Sequence, residues 1–184
     1  MALTFPPQAE LGTKLPPFSL LSVFGEKYSQ ADFQNQKPLV IMFICNHCPY
    51  VKAVEDRLID LACDLKKQDI HVIGICSNDS TSNSQDSLEN LKNRAVEKNY
   101  SFTYLHDPDQ SAARAFGAVC TPDFFVYDSV GLLQYRGRLD DSWKDAAKLQ
   151  KRELFEAVQL LLKNETPSSN QHPSMGCNLK WKRS

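Results

Sequence analysis

The chain has 184 residues and a formal net charge of −1, a length that suits one domain with a substantial core plus tails. The near-balance of charge, without a clustered basic stripe, argues against a nucleic-acid or membrane-surface partner, and no apolar run reaches the length of a bilayer span. Met1–Glu10 lacks the basic and long apolar regions of a secretion leader, so a reducing, cytoplasmic location is expected, where six cysteines (45, 48, 63, 76, 120 and 177) do not read as a static disulfide framework.

In chain order, the stretch through Leu15-Pro16-Pro17 is too proline-rich for regular structure and is expected to wrap the domain. Phe18–Ser22 and Lys27–Ser29, flanking Phe24-Gly25-Glu26, read as a small hairpin. Leu39–Ile44 is a continuous apolar run, as in a buried strand. After it, Val51, Val54, Leu58, Leu61 and Leu65 recur at spacings of three and four, which predicts a helix from about His47 to Lys67. Pro49 fits that helix because it lies in its first turn. Ile70–Cys76 predicts a second buried strand of a parallel sheet, and Ser77–Ser84 a polar loop. Leu88, Leu91, Ala95 and Val96 mark a helix ending near Asn99. Phe102–Leu105 predicts a strand, Gln110–Phe116 a short helix closed by Gly117, and Phe124–Tyr127 and Leu132–Tyr135 a strand pair. A last helix is expected over about Lys148–Lys163. The order βαβ…αββα predicts an α/β fold with a central mixed sheet flanked by helices, an N-terminal hairpin and an inserted helix and strand. The expected division is a domain over residues 1–165 and a tail over 166–184.

Two local patterns carry chemistry. Cys45-Asn46-His47-Cys48 sits at the junction of strand and helix, where the helix dipole and unpaired N–H groups favour a thiolate. A CxxC in a βαβ setting reads as thioredoxin-like, although CxxC also makes half of many zinc sites. Cys45 is read as the nucleophile and Cys48, one turn inside the helix, as the thiol that resolves a mixed disulfide. Thr121-Pro122 directly precedes an apolar strand, and Pro cannot donate to a sheet ladder. On the residues alone it reads as an ordinary trans Pro entering an edge strand; the similarity of this order to thioredoxin-fold chains implies instead a cis bond facing the cysteines. Asn46 and His47 tune the pair in one reading and are solvated first-turn residues in the other.

The remaining cysteines read differently. Cys63 and Cys76 are assigned to the core. Cys120 either packs under the sheet or lines the active-site wall, with packing preferred. Cys177 is either an unstructured tail thiol or part of a docking segment, since Cys177, Leu179 and Trp181 are costly to expose; docking near the CxxC, with Cys177 as a third thiol, is expected. His71 and His106 are read as structural; Asn78 and Asp79 either line the cleft or belong to a solvated loop, with the loop preferred.

The motifs Cys45-Asn-His-Cys-Pro-Tyr-Val-Lys52, Ser77-Asn-Asp79 and Cys120-Thr-Pro-Asp-Phe-Phe125 resemble the thioredoxin-like superfamily, in its alkyl-hydroperoxide-reductase and thiol-specific-antioxidant-like redoxin branch. The resemblance covers about residues 11–163, and Pro173–Lys182 resembles the ending of a subgroup of small thioredoxin-like proteins. It implies dithiol–disulfide exchange through Cys45 and Cys48, with Pro122 shaping a substrate groove. The chain departs from thioredoxin itself at Ile44, in place of a tryptophan, and at Leu39, in place of a buried aspartate.

The function expected is therefore a thiol–disulfide oxidoreductase acting on a disulfide-containing protein or a small thiol substrate, with an electron donor the residues do not name. A thiol peroxidase is the alternative, because Cys48-Pro49 has the shape of a peroxidatic turn, although Cys45 stands three residues earlier where that turn carries Thr or Ser. Third is a soft-metal module using Cys45, His47, Cys48 and Cys177. No cofactor and no metal is assigned.

Overall fold

The computed structural model describes residues 3–33 and 36–182. Met1, Ala2, Arg183 and Ser184, at the ends of the expected domain and tail, lie outside the described residues. The strands are β1 (Leu3–Thr4), β2 (Ser19–Ser22), β3 (Lys27–Ser29), β4 (Leu39–Phe43), β5 (His71–Cys76), β6 (Thr103–His106), β7 (Cys120–Thr121), β8 (Asp123–Tyr127), β9 (Leu133–Gly137) and β10 (Gly176–Asn178). The helices are α1 (Pro49–Lys66), α2 (Leu88–Glu97), α3 (Ser111–Phe116) and α4 (Glu153–Leu162).

The central sheet has the order β3-β2-β6-β5-β4-β8-β9. Strands β4, β5 and β6 run parallel at its centre, while β2 and β8 join them antiparallel. A parallel centre covered on both faces requires strands without a polar side, and Leu39–Phe43 is buried at every position. Its alternate residues feed opposite layers. Val40 and Met42 pack with Leu58, Leu61, Leu91, Leu154 and Val158 of α1, α2 and α4. Leu39, Ile41 and Phe43 pack with Phe18, Phe33, and Ala112, Ala113 and Phe116 of α3. The α1 stripe predicted from spacing is the face that is buried.

Besides shifts of one or two residues at several strand ends, three differences from the sequence-based expectation stand out. Helix α1 starts at Pro49 rather than His47, with Cys48 as its N-cap in extended backbone. Proline is favoured at the first helical position and biases the residue before it away from helical angles, so Pro49 sets the start. Helix α4 starts at Glu153 rather than Lys148. The residues before it are held by tertiary hydrogen bonds: Gln150 N–H donates to Asp141 Oδ1 at 3.0 Å and Leu154 N–H to Leu139 O at 3.2 Å. The N-terminal stretch is not wholly irregular, because Leu3–Thr4 pairs with β10.

The tail is pinned rather than loose. Gln171 Oε1 accepts from Arg136 N–H at 2.8 Å, and Arg138 N–H donates to His172 O at 3.0 Å. On the same strand, Leu133 N–H donates to Thr13 O at 2.8 Å. Both terminal segments thus cover β9, the end strand of the sheet, and so hide an edge that would otherwise offer bare N–H and C=O groups. Among the described residues no helix is long and apolar enough to cross a membrane.

Candidate redox site

Strand β4 ends at Phe43, and Ile44 N–H still continues the ladder to Ile75 O at 3.0 Å. Cys45, Asn46 and His47 then form the turn that delivers Cys48 to the cap of α1. The turn is held from outside by Asp86, a fully buried carboxylate just before α2. Asp86 accepts from Asn46 N–H at 2.9 Å, His47 N–H at 3.2 Å and Asn78 Nδ2 at 2.9 Å, and it meets His47 Nδ1 at 2.5 Å. Asn46 Nδ2 adds bonds to Gln85 O and Asn90 O. The turn between the two cysteines is therefore held by three residues, Gln85, Asp86 and Asn90, about forty positions away in sequence.

Opposite this turn, Thr121-Pro122 is a cis peptide bond linking β7 to β8. Thr121 faces both sulfurs: its Oγ1 lies 3.4 Å from Cys45 Sγ, and its carbonyl accepts from the Cys48 thiol at 3.0 Å. Cys45 Sγ also lies 3.7 Å from His47 Nδ1. Both sulfurs are enclosed, with Cys45 2 % and Cys48 0 % exposed. Pro49 fixes the helix start, and its ring is exposed.

The hydrogen bonds around the pair pull the two thiols in opposite directions, Cys48 down and Cys45 up. The hydrogen bond from the Cys45 thiol is the largest influence on Cys48 and lowers it to about 5, helped by the Cys177 thiol, Thr121 and the Val51 N–H. Burial pushes Cys45 well above the ordinary thiol range, and its bond to Cys48 and the negative Asp86 push the same way. The helix start adds one smaller contribution: with Pro49 as the first helical residue, the Val51 N–H of the first turn reaches Cys48, and Cys45 lies three residues upstream.

The tail completes the site. Strand β10 pairs antiparallel with β7, Cys177 opposite Thr121 and Asn178 opposite Cys120, while β1 pairs on its other side. Cys177 is 1 % exposed and its thiol hydrogen-bonds to Cys48. Leu179 is buried, with its N–H on Val119 O at 2.9 Å. Trp181 does not pack against the cysteines: it is 37 % exposed and stacks on the Arg114 guanidinium of α3, 4.7 Å from ring centre to guanidinium carbon. Its large ring is accommodated where a cation can lie on its face.

Asn78 and Asp79 are not a solvated loop. Both are buried and hold the tail, Asn78 Oδ1 accepting from Lys180 N–H and Asp79 N–H donating to Lys180 O, each at 2.8 Å. Cys120 is buried in β7, its thiol directed to Pro122 O at 3.7 Å, and burial raises it. Cys76 is likewise buried and raised, whereas Cys63 is half-buried on α1 and lines a separate cleft. His71 stacks edge-on against Phe33.

Cys45 Sγ, His47 Nδ1 and an Asp86 oxygen lie within 4.8 Å of one another, close enough to share a cation. The Asp86 oxygens are already engaged by the four donors above, so the contacts describe a hydrogen-bonded triad. Beside Pro122 lies an apolar cavity of about 250 Å³ lined by Tyr50, Val54, Phe124, Trp143 and Met175 among others.

Asp86, Gln85 and Asn90, which hold the turn, were not singled out from the sequence. An acidic residue between a polar loop and a helix looks like an N-terminal helix charge, and nothing local reveals what it binds.

The comparisons fit this geometry. A thiol:disulfide interchange protein DsbE from Yersinia pestis is 29% identical over 137 residues, covering 72% of this chain and 68% of that protein. Peroxiredoxin Bcp of Escherichia coli K12 is 29% identical over 126 residues, covering 67% of this chain and 76% of its own. The crystal structure of an uncharacterised conserved protein from Geobacillus kaustophilus superposes with a TM-score of 0.94 at 38% identity, covering 100% of this chain and 98% of that one. The AhpC/TSA family profile matches residues 11–136, more than half of the sequence, and the chain belongs to the AhpC/TSA family.

Proposed function

We propose that this protein is a thiol–disulfide oxidoreductase working through the Cys45–Cys48 couple, with Cys48 attacking and Cys45 resolving. The observation that carries the reading is the Cys48 sulfur at the N-cap of α1, beneath the cis Thr121-Pro122 bond, with the Cys45 thiol donating to it. The Cys48 thiolate attacks one sulfur of a substrate disulfide, that S–S bond breaks, and the departing thiolate takes up a proton. Cys45 then loses its proton, with His47 and Asp86 beside it, and attacks Cys48. The Cys45–Cys48 bond forms, the second substrate thiolate leaves, and two electrons have passed to the substrate. DsbE and Bcp, the curated relatives, are named for disulfide interchange and as a peroxiredoxin, which supports redox-active thiols here.

The substrate class is a disulfide-containing protein or a small thiol compound, and the apolar cavity beside Pro122 suits a side chain flanking a client cysteine. The reducing, cytoplasmic setting read from the sequence belongs to this proposal.

Thiol peroxidase is the second reading, and a specific observation favours it. The hydroxyl missing at position 45 is supplied by Thr121, whose side chain bonds to both sulfurs. In that case the Cys48 thiolate attacks a peroxide oxygen, the O–O bond breaks and an alcohol or water leaves, and Cys45 condenses with the resulting sulfenic acid to form the disulfide and release water.

The test uses the full chain with Cys177 also replaced by serine, so that only the pair is in play. Cys45→Ser should accumulate a mixed disulfide at Cys48 when given a small disulfide, and Cys48→Ser should lose turnover by roughly a hundredfold or more. A mixed disulfide trapped on Cys45 in Cys48→Ser would reverse the order of attack. Peroxide consumption much faster than disulfide reduction would favour the second reading.

A further inference from the structure

Cys177 is a third thiol at the site, and its placement is built in. Strand β10 crosses β7 so closely that a Cβ on Gly176 would lie 1.9 Å from Thr121 O and 2.5 Å from Thr121 C. Those contacts are backbone atoms that no side-chain rotation relieves, so the crossing requires glycine at 176. The next residue is then fixed opposite Thr121, the residue whose carbonyl holds the Cys48 thiol. Asn78, Asp79 and Gln110 fasten the following stretch, Gln110 Nε2 donating to Lys180 O at 2.8 Å and Gln110 Oε1 accepting from Lys182 N–H at 2.9 Å. The outcome is a buried row of three hydrogen-bonded sulfurs, with Cys48 contacting both Cys45 and Cys177.

We propose that Cys177 is a redox-active member of the site, exchanging with the Cys45–Cys48 disulfide to form a Cys48–Cys177 bond that fastens the tail across β7. The proposal rests on the oxidoreductase reading, since turnover on a substrate disulfide supplies the Cys45–Cys48 bond. Cys177 gives up its thiol proton and its sulfur attacks Cys48. The Cys45–Cys48 bond breaks, and Cys45 leaves as a thiolate that takes up the proton. One S–S bond replaces another with no net oxidation, so no further oxidant is needed.

With Cys48 reduced, the Cys177 thiol is pushed up to about 12, by burial first and then by its bond to Cys48 and the charge there. Once Cys48 is in a disulfide, both influences of Cys48 vanish and the favourable Lys180 charge remains. Burial remains, so oxidation of Cys48 removes part of what holds the Cys177 proton. The oxidised protein can hold its tail covalently closed over the couple. In the reduced protein the same strand is held by hydrogen bonds and packing alone.

The test oxidises full-length wild type, Cys45→Ser and Cys48→Ser with glutathione disulfide, blocks remaining thiols with N-ethylmaleimide, and maps disulfides by peptide mass spectrometry of the monomer band. A peptide pair joining the Cys45/Cys48 segment to the Cys177 segment is expected in wild type, as the major product in Cys45→Ser and absent from Cys48→Ser. If Cys45–Cys48 forms in wild type but no Cys177 link is found in wild type or Cys45→Ser, the proposal falls and the oxidoreductase reading stands. If Cys45–Cys48 itself does not form, both fall. A Cys177 link confined to dimers also overturns it.

Discussion

At the scale of single residues, the hydrogen bonds to Cys48 favour charge on its sulfur. Three donors and a helix N-terminus converge on its sulfur, whereas Cys45 is buried beside a carboxylate. Labelling of Cys48 by iodoacetamide in the reduced protein should therefore turn on as pH rises through about 5. Replacing Cys45 with alanine removes the largest cause of that lowering, so the midpoint should move upward; pulse-labelling across pH with mass spectrometry reads both. An unmoved midpoint would place the stabilisation elsewhere. The linkage has a definite sign. The folded thiol ionises below the unfolded value of about 8.5, so its contribution to stability is full above that value, shrinks as pH falls, and is lost through about pH 5. At this scale the sequence was informative about which side chains matter and silent about their partners. Cys45, His47, Cys48 and Pro122 stood out by spacing, but Asp86 lies about forty residues away and becomes a partner only once α2 packs beside the turn.

Short elements carry more weight here than their length suggests. Strand β10 has three residues, yet it lies between β1 and β7 and closes the site. Its register depends on Gly176, so Gly176→Ala should displace β10 from Thr121 while leaving the central sheet intact. The expected readouts are faster reaction of Cys48 with bulky maleimides and unchanged far-ultraviolet circular dichroism. Equal labelling rates in Gly176→Ala and wild type would show that the close crossing does not control access. Helix α1 makes the complementary point. Its apolar stripe was legible in the sequence because a 3.6-residue period survives in any context. Its first residue was misplaced by two, because Pro49 sets the start and Cys48 becomes the N-cap.

At the scale of the whole molecule, the two termini act on the same edges. Residues 12–15 and 171–172 cover β9, and β1 and β10 extend the strand that precedes the cis-proline. Deleting residues 173–184 removes β10 and the buried Leu179, a side chain that by itself contributes about 1.5–3 kcal/mol. The truncated protein should keep the central sheet, melt at lower temperature and label more readily at Cys48. A normal Tm with unchanged labelling would mean that the tail rests on the surface without sealing the couple.

The sequence by itself determined the α/β class, the buried parallel strands, the amphipathic α1, and the pairing of a CxxC with a Thr-Pro, because these depend on local periodicity and on residues with restricted backbones. A thioredoxin-like fold follows from their order along the chain. Only the tertiary structure decided that Asn78, Asp79 and Asp86 are buried organisers, and that Cys177 joins the couple while Trp181 stacks on Arg114. Each of these depends on contacts between residues dozens of positions apart. Burial and hydrogen bonding at such distances arise from packing, and a linear pattern of residue types carries no record of them.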